Sequence, residues 1–217
     1  MNIFLDTANI DQIRQAARLG IISGVTTNPS LLSKEATSDY ETVTKKICSI
    51  VSGPVSVEVL SEDAKSMIEE ARAKASWAPN VNIKIPITPD GLEATSTLSK
   101  ENIKINMTLC FSANQALLGA LAGATYVSIF VGRLDDAGHD GMQVVQDTVD
   151  ILDNYPELDT QVIAASIRHT MHCTQAAMIG VDIATVPYNV LMQMIKHPMT
   201  DIGIERFLAD WKSVANK

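Results

Sequence analysis

Val81-Asn82-Ile83-Lys84-Ile85-Pro86 has the apolar content and two-residue alternation of a buried β-strand, yet a lysine stands in its middle. Alternation turns Lys84 and Asn82 to one face and Ile83 and Ile85 to the other. An ammonium on a buried strand must be paired or lose its proton, because removal from water disfavours the charged form. A neutral lysine amine is a nucleophile suited to forming a Schiff base with a carbonyl. The plainer alternative is a lysine whose stem is buried and whose tip reaches solvent. The neighbouring strands decide between them.

Outward from this run, similar short apolar or alternating stretches occur at 3–7, 24–28, 55–59, 104–108, 126–130, 161–166 and 183–187, eight strands in all. Segments of helical periodicity lie between them. Asn9 with Gln12, Ser38 with Glu41, and Ser112 with Gln115 have capping-box spacing, and Gly20, Gly53 and Gly123 follow helix ends. Eight alternating strand–helix units predict a single (β/α)8 TIM barrel spanning residues 1–217. An open doubly wound sheet is the fallback, but the Gly-rich fingerprint expected after its first strand is absent. Ile202, Ile204, Phe207, Leu208 and Trp211 share one side of an additional C-terminal helix, expected over about 200–216, whose apolar stripe must pack on this domain or on a neighbouring subunit.

Barrel strands are covered on both faces and should be almost wholly apolar. Here the face opposite the aliphatics carries Asp6, Thr26 and Asn28, Ser56 and Glu58, Asn82 and Lys84, Asn106 and Thr108, Ser128, and Ser166. Leu5, Val25, Val57, Ile83, Ile105, Val127, Ile163 and Ala165 are assigned to the helix-facing side. Burying so many polar groups without purpose is costly, and most stand near the C-terminal strand ends, where barrels of this kind place active sites. Asp6 and Glu58 are the carboxylates and Lys84 the cation of this set. A lysine with two acid/base groups is the minimum equipment for imine chemistry. Lys104 opens its strand at the opposite end and is expected to be a solvated rim residue.

The 217-residue chain carries a net charge of −8 with a pI near 4.9, which argues against nucleic-acid or anionic-membrane binding. An anionic ligand must be held by a few local cations. With neither a signal-peptide pattern nor a membrane-spanning apolar stretch, and with Cys48, Cys110 and Cys173 odd in number and widely spaced, a cytoplasmic protein with reduced thiols is expected. His169, His172 and Cys173 lack a second ligand pair of zinc-site spacing, and Asp135, Asp136 and Asp140 do not follow an EF-hand. No metal is expected; the acids read as a solvated loop.

The segments Phe4-Leu5-Asp6-Thr7-Ala8-Asn9, Gly24-Val25-Thr26-Thr27-Asn28-Pro29-Ser30, Ser56-Val57-Glu58-Val59, Ile83-Lys84-Ile85-Pro86 and Phe130-Val131-Gly132-Arg133 closely resemble the small transaldolases and related fructose-6-phosphate aldolases. The resemblance covers essentially the whole chain. It implies a class I enzyme that needs no cofactor and moves a dihydroxyacetone unit between sugar phosphates of the pentose phosphate pathway, and it implies a homo-oligomer, a decamer built from pentameric rings. It would make Lys84 the imine lysine and Asp6 the acid/base at the hydroxyl whose deprotonation breaks the C–C bond. Glu58 would act with Thr108 through a water. Asn28, Asn106 and Ser128 would hold hydroxyls of the three-carbon unit, with Thr26 and Phe130 in the same substrate-binding space. Arg133, Ser166 and Arg168 match the family's phosphate site. The chain departs from the family pattern at Ser128-Ile129-Phe130, where Ser-Pro-Phe is expected; Ile129 should face the helices. The aldolase branch, which releases free dihydroxyacetone, carries glutamine at the position of Glu58 and tyrosine at that of Phe130. A catalytically silent sugar-phosphate-binding barrel is a third reading, disfavoured by the presence of Asp6, Glu58, Lys84 and Thr108 together.

Overall fold

The computed structural model describes residues 1–35 and 39–215. Eight parallel strands close a barrel in chain order: β1 (Asn2–Asp6), β2 (Gly24–Thr26), β3 (Val55–Glu58), β4 (Val81–Pro86), β5 (Ile105–Cys110), β6 (Tyr126–Phe130), β7 (Gln161–Ala165) and β8 (Ile183–Val186), with β8 pairing back on β1. The helices are α1 (Ile10–Arg18), α2 (Pro29–Leu32), α3 (Tyr40–Ile50), α4 (Ala64–Ala75), α5 (Pro89–Ser99), α6 (Ala113–Leu121), α7 (Val131–Asp136), α8 (Gly141–Leu152), α9 (Thr170–Ile179), α10 (Tyr188–Ile195) and α11 (Pro198–Ala215). This is the (β/α)8 architecture, with α11 as the additional C-terminal helix.

Two apolar clusters follow from the strand alternation. Leu5, Val25, Val57, Ile83, Ile85, Ile105, Met107, Val127, Ile129 and Ala164 join the helices in the outer core. Phe4, Tyr126, Phe130, Ile163, Ala165 and Ile183 form a separate cluster inside the barrel. Ile129 therefore faces the helix layer. The assignment of Ile163 and Ala165 to that layer is corrected: both point inward, while Val162 and Ala164 face the helices. Ser166 lies beyond the strand with φ 58°, so two-residue alternation does not carry across it.

Local chemistry sets the ends of the elements. Asn9 and Ser112 cap α1 and α6 by accepting from the backbone N–H of Gln12 and Gln115. Their glutamines do not complete the box: Gln12 accepts from the Thr7 hydroxyl and Gln115 from the Phe111 N–H. Ser38 lies outside the described residues, and the cap of α3 is Asp39, accepting from Thr42. Gly53 is required by close approach, since a Cβ there would lie 1.7 Å from the Ser23 carbonyl oxygen. On β5 the register against β6 shifts between Met107 and Cys110, where Leu109 takes φ 59°.

Candidate active site

The C-terminal strand ends surround one cavity, lined at its inner end by Asp6, Thr26, Asn28, Lys84, Ser128 and Phe130, and toward its mouth by Arg133, Ser166 and Arg168. Register explains the depth of the polar pair: Glu58 on β3 lies opposite Lys84 on β4, which lies opposite Asn106 on β5. Lys84 is only 5% exposed. Its Nζ lies 3.2 Å from Glu58 Oε2 and 5.9 Å from the centre of the Phe130 ring, and it donates to the Thr27 carbonyl at 3.5 Å. Of the two routes open to a buried lysine, this one is paired.

Asp6 accepts a hydrogen bond from the Thr26 hydroxyl at 2.7 Å, and Thr26 is in turn 2.5 Å from the Thr185 hydroxyl. With Thr26 donating to Asp6, Thr185 is the donor to Thr26, which fixes a one-way chain. Burial is the largest influence on the Asp6 carboxyl and holds it above the usual carboxylate range. The Thr26 hydrogen bond and the Lys84 charge oppose that rise without cancelling it.

The remaining candidates divide. Asn28 lines the cavity, but its Oδ1 caps α2 by accepting from Leu31, so its amide N–H groups are left to meet a ligand. Ser128 donates to Asn106 Oδ1 at 2.7 Å, and Asn106 donates to the Ser56 hydroxyl at 3.1 Å. Asn106 thus reaches the cavity through Ser128 rather than by lining it. Thr108 is fully buried on β5, and its hydroxyl finds no partner among the described residues. It touches neither Glu58 nor Lys84 by hydrogen bond.

Toward the mouth, the Arg133 guanidinium stacks 5.0 Å from the centre of the Phe130 ring, and Arg168 pairs with Asp136 at 2.7 Å. A Cβ on Gly132 would lie 2.6 Å from Arg168 Cγ and Nε, so only glycine lets the Arg168 stem lie across it. Asp135, Asp136 and Asp140 are solvent-exposed as expected, but the first two end α7 rather than lying in a loop, and all three are engaged. Asp135 accepts from Gly141 and pairs with His172, Asp136 holds Arg168, and Asp140 caps α8. Lys104 is exposed at the opposite end of the barrel.

Three residues of the site escape a reading of the sequence. Thr185 sits in an apolar-looking run and yields no alternation signal until β8 is known to face β1. Tyr40 and Lys74 hold Glu58 from behind: the Glu58 N–H donates to the Tyr40 hydroxyl at 2.9 Å, and Lys74 Nζ donates to the Glu58 carbonyl at 2.7 Å. Lys74 also pairs with Glu70 and lies 4.7 Å over the Tyr40 ring.

Fold and site together define a (β/α)8 enzyme whose buried lysine, paired with Glu58, shares a cavity with Asp6 and with cationic groups at its mouth. The chain belongs to the transaldolase/fructose-6-phosphate aldolase family, whose model matches residues 3–217. It is 62% identical, over 99% of both chains, to a probable transaldolase of Dehalococcoides mccartyi. It is 59% identical, over the full length of both chains, to probable transaldolases of a Thermoanaerobacter species and of Caldicellulosiruptor saccharolyticus. Among solved structures, the thiamine phosphate pyrophosphorylase of Pyrococcus furiosus is similar with TM-score 0.59 at 14% identity, covering 86% of this chain and 85% of that one. At that identity the likeness concerns the fold alone.

Proposed function

We propose that this enzyme is a transaldolase working through a Schiff base on Lys84. The observation that carries this is Lys84 itself, buried beside Glu58 in a cavity that also holds Asp6. Glu58 receives a proton from Lys84, and the free amine adds to the C2 carbonyl of a ketose phosphate such as fructose 6-phosphate or sedoheptulose 7-phosphate. Loss of water gives the imine, with Glu58 and Thr108 moving protons through a water molecule. Asp6 takes the proton from the C4 hydroxyl, the C3–C4 bond breaks, and its electron pair passes into the iminium to give an enamine. The C4 fragment leaves as an aldose phosphate. The enamine then attacks the aldehyde carbon of an acceptor such as erythrose 4-phosphate or glyceraldehyde 3-phosphate, Asp6 returns its proton to the new alkoxide, and water releases the product ketose. Asn28, Ser128 and Thr26 orient the hydroxyls of the three-carbon unit, and Asn106 acts through Ser128, whose hydroxyl it holds. No step calls for a cofactor or metal, and the exchange of such units belongs to the pentose phosphate pathway.

Transfer is favoured over release as an aldolase by the relatives' names and by Phe130. An apolar ring 5.9 Å from Lys84 has no proton to give the enamine, which waits for an aldehyde. The test is product analysis with fructose 6-phosphate, with and without erythrose 4-phosphate. Wild type is expected to transfer efficiently and release little free dihydroxyacetone, and Phe130→Tyr to shift the balance toward release. Multiple-turnover release by wild type, as fast as transfer, would make it an aldolase.

Arg133, Ser166 and Arg168 serve the phosphate. Charge-assisted contacts contribute about 1.5 to 3 kcal/mol each. Arg168→Ala is therefore expected to raise KM for fructose 6-phosphate roughly tenfold to a hundredfold and to affect fructose much less. Equal losses on both sugars would mark Arg168 as structural.

The assembly is a homo-oligomer, docked through α11. Phe207 and Trp211 are 73% and 68% exposed, and Met199, Ile202, Ile204 and Leu208 join them on a helix that the barrel scarcely covers. Such a surface requires a second copy to remove it from water. Sedimentation velocity is expected to show an oligomer, dissociated by Phe207→Asp with Trp211→Asp; a wild-type monomer would refute this. Among the described residues no helix is long and apolar enough to cross a membrane. With three free cysteines, two of them buried, a cytoplasmic setting fits best.

A further inference from the structure

His172 lies in the first turn of α9, outside the cavity, and is only 4% exposed. Its Nδ1 accepts a hydrogen bond from the backbone N–H of Arg168 at 3.3 Å, and its Nε2 lies 2.9 Å from Asp135 Oδ2. One imidazole meets both demands only with its proton on Nε2: the bare Nδ1 accepts, and Nε2–H donates to the carboxylate. The other oxygen of Asp135 accepts from the Gly141 N–H at 2.9 Å, which anchors the carboxylate at the turn between α7 and α8.

The connection is directional. Arg133, Asp135 and Asp136 all belong to α7, after β6, whereas Ser166, Arg168 and His172 follow β7. The Gly132 N–H donates to the Ser166 carbonyl at 3.1 Å, and Asp136 holds the Arg168 guanidinium at 2.7 Å. Ser166 is held at positive φ, so the backbone before Arg168 has an uncommon conformation that its surroundings must maintain. His172 supplies the contact that pins the next stretch of backbone to α7.

We propose that His172 is a positioning residue for phosphate binding, fixing the Arg168 backbone to the α7 segment through Asp135 while the imidazole is neutral. This rests on the reading of Arg133, Ser166 and Arg168 as the phosphate site. Protonation puts a second N–H against the Arg168 N–H, so the strap opens and the grip on an anion weakens. The groups facing the ring are Asp135 from α7, Arg168 from the preceding loop and His169 from α9, whose ring centre is 3.8 Å away. Burial is the largest influence and holds the imidazole below its ordinary range; His169 and Arg168 act in the same direction and Asp135 against it. The neutral form is thus kept through neutral pH, and the strap is lost as pH falls through that lowered value.

The probe is inorganic sulfate, which stays dianionic across the range in which histidine titrates. Its Kd is to be measured calorimetrically for wild type, His172→Phe, His172→Asn and Arg168→Ala, with KM and kcat for fructose 6-phosphate alongside. His172→Phe is expected to raise sulfate Kd and KM roughly threefold to tenfold, the range of one lost hydrogen bond, with kcat affected far less. His172→Asn, whose carbonyl can still accept from Arg168, is expected to recover part of that loss and to remove the acid-side weakening seen in wild type. If Arg168→Ala weakens sulfate but His172→Phe does not, the strap is refuted and the phosphate site stands. If Arg168→Ala leaves sulfate binding unchanged, the phosphate reading fails and the strap with it. A matching fall in kcat for His172→Phe, unrelieved in His172→Asn, would reduce His172 to a packing residue.

Discussion

Lys84→Ala is expected to abolish transfer, with kcat falling roughly 10⁵-fold or more, the scale on which a covalent nucleophile is lost. At about 1.36 kcal/mol per tenfold, that is on the order of 7 kcal/mol of transition-state stabilisation. On the proposed mechanism the loss is so large because the enamine exists only as a covalent derivative of the lysine, and Asp6 and Glu58 have nothing to act on without it. Borohydride added with fructose 6-phosphate should fix a three-carbon adduct on the wild-type peptide containing Lys84 and leave Lys84→Ala unmodified. Lys104 is an internal control, exposed at the far end of the barrel. An adduct on Lys104 or on Lys74, or normal turnover by Lys84→Ala, would refute the assignment. Removing the ammonium also leaves Glu58 half-buried without its partner, so loss of activity must be read beside a circular-dichroism check of folding.

The barrel was legible because its signal is redundant. Strands sandwiched between helices and a packed interior must be apolar on one face, and eight such runs at regular intervals leave little choice of topology. Polar residues opposite those faces stood out for the same reason, and Asp6, Lys84 and Ser128 sit where alternation put them. Alternation fails where backbone geometry changes. Ser166 at positive φ ends it, which put Ile163 and Ala165 on the wrong face, and Leu109 at positive φ interrupts it in β5. What could not be read was support arriving from distant elements. Tyr40 and Lys74 converge on Glu58 from α3 and α4, and nothing in their own segments marks them. His169, His172 and Asp135 looked like a failed metal site or a solvated loop because their partners lie across a strand, a turn and a helix boundary. The exposed stripe of α11 was visible as a pattern, but a pattern does not name the surface that covers it.

Asp6→Asn is expected to lower kcat by about 10² to 10⁴, the usual worth of a positioned acid/base, while leaving imine formation intact. Borohydride trapping should therefore still label Lys84 in this variant, which separates the two roles. The pH dependence follows from the raised position of the Asp6 carboxyl. To take the C4 proton it must be ionised, so wild-type kcat/KM should fall as pH drops through a value above the ordinary carboxylate range. Stability moves the opposite way. A carboxyl raised on folding binds its proton more tightly in the native state than in the unfolded one. Below the unfolded value both states hold the proton and nothing is lost; above it the native state is progressively disfavoured, and the full cost is reached above the folded value. Asparagine keeps an oxygen to accept from Thr26 and carries no charge to desolvate. Asp6→Asn is accordingly expected to unfold at a higher temperature than wild type at pH 7, with the difference vanishing in acid below the ordinary carboxylate range. A variant less stable than wild type at pH 7, or a stability difference that grows toward acid, would show that Asp6 is held chiefly by favourable contacts and that its carboxylate is not a strained catalytic base.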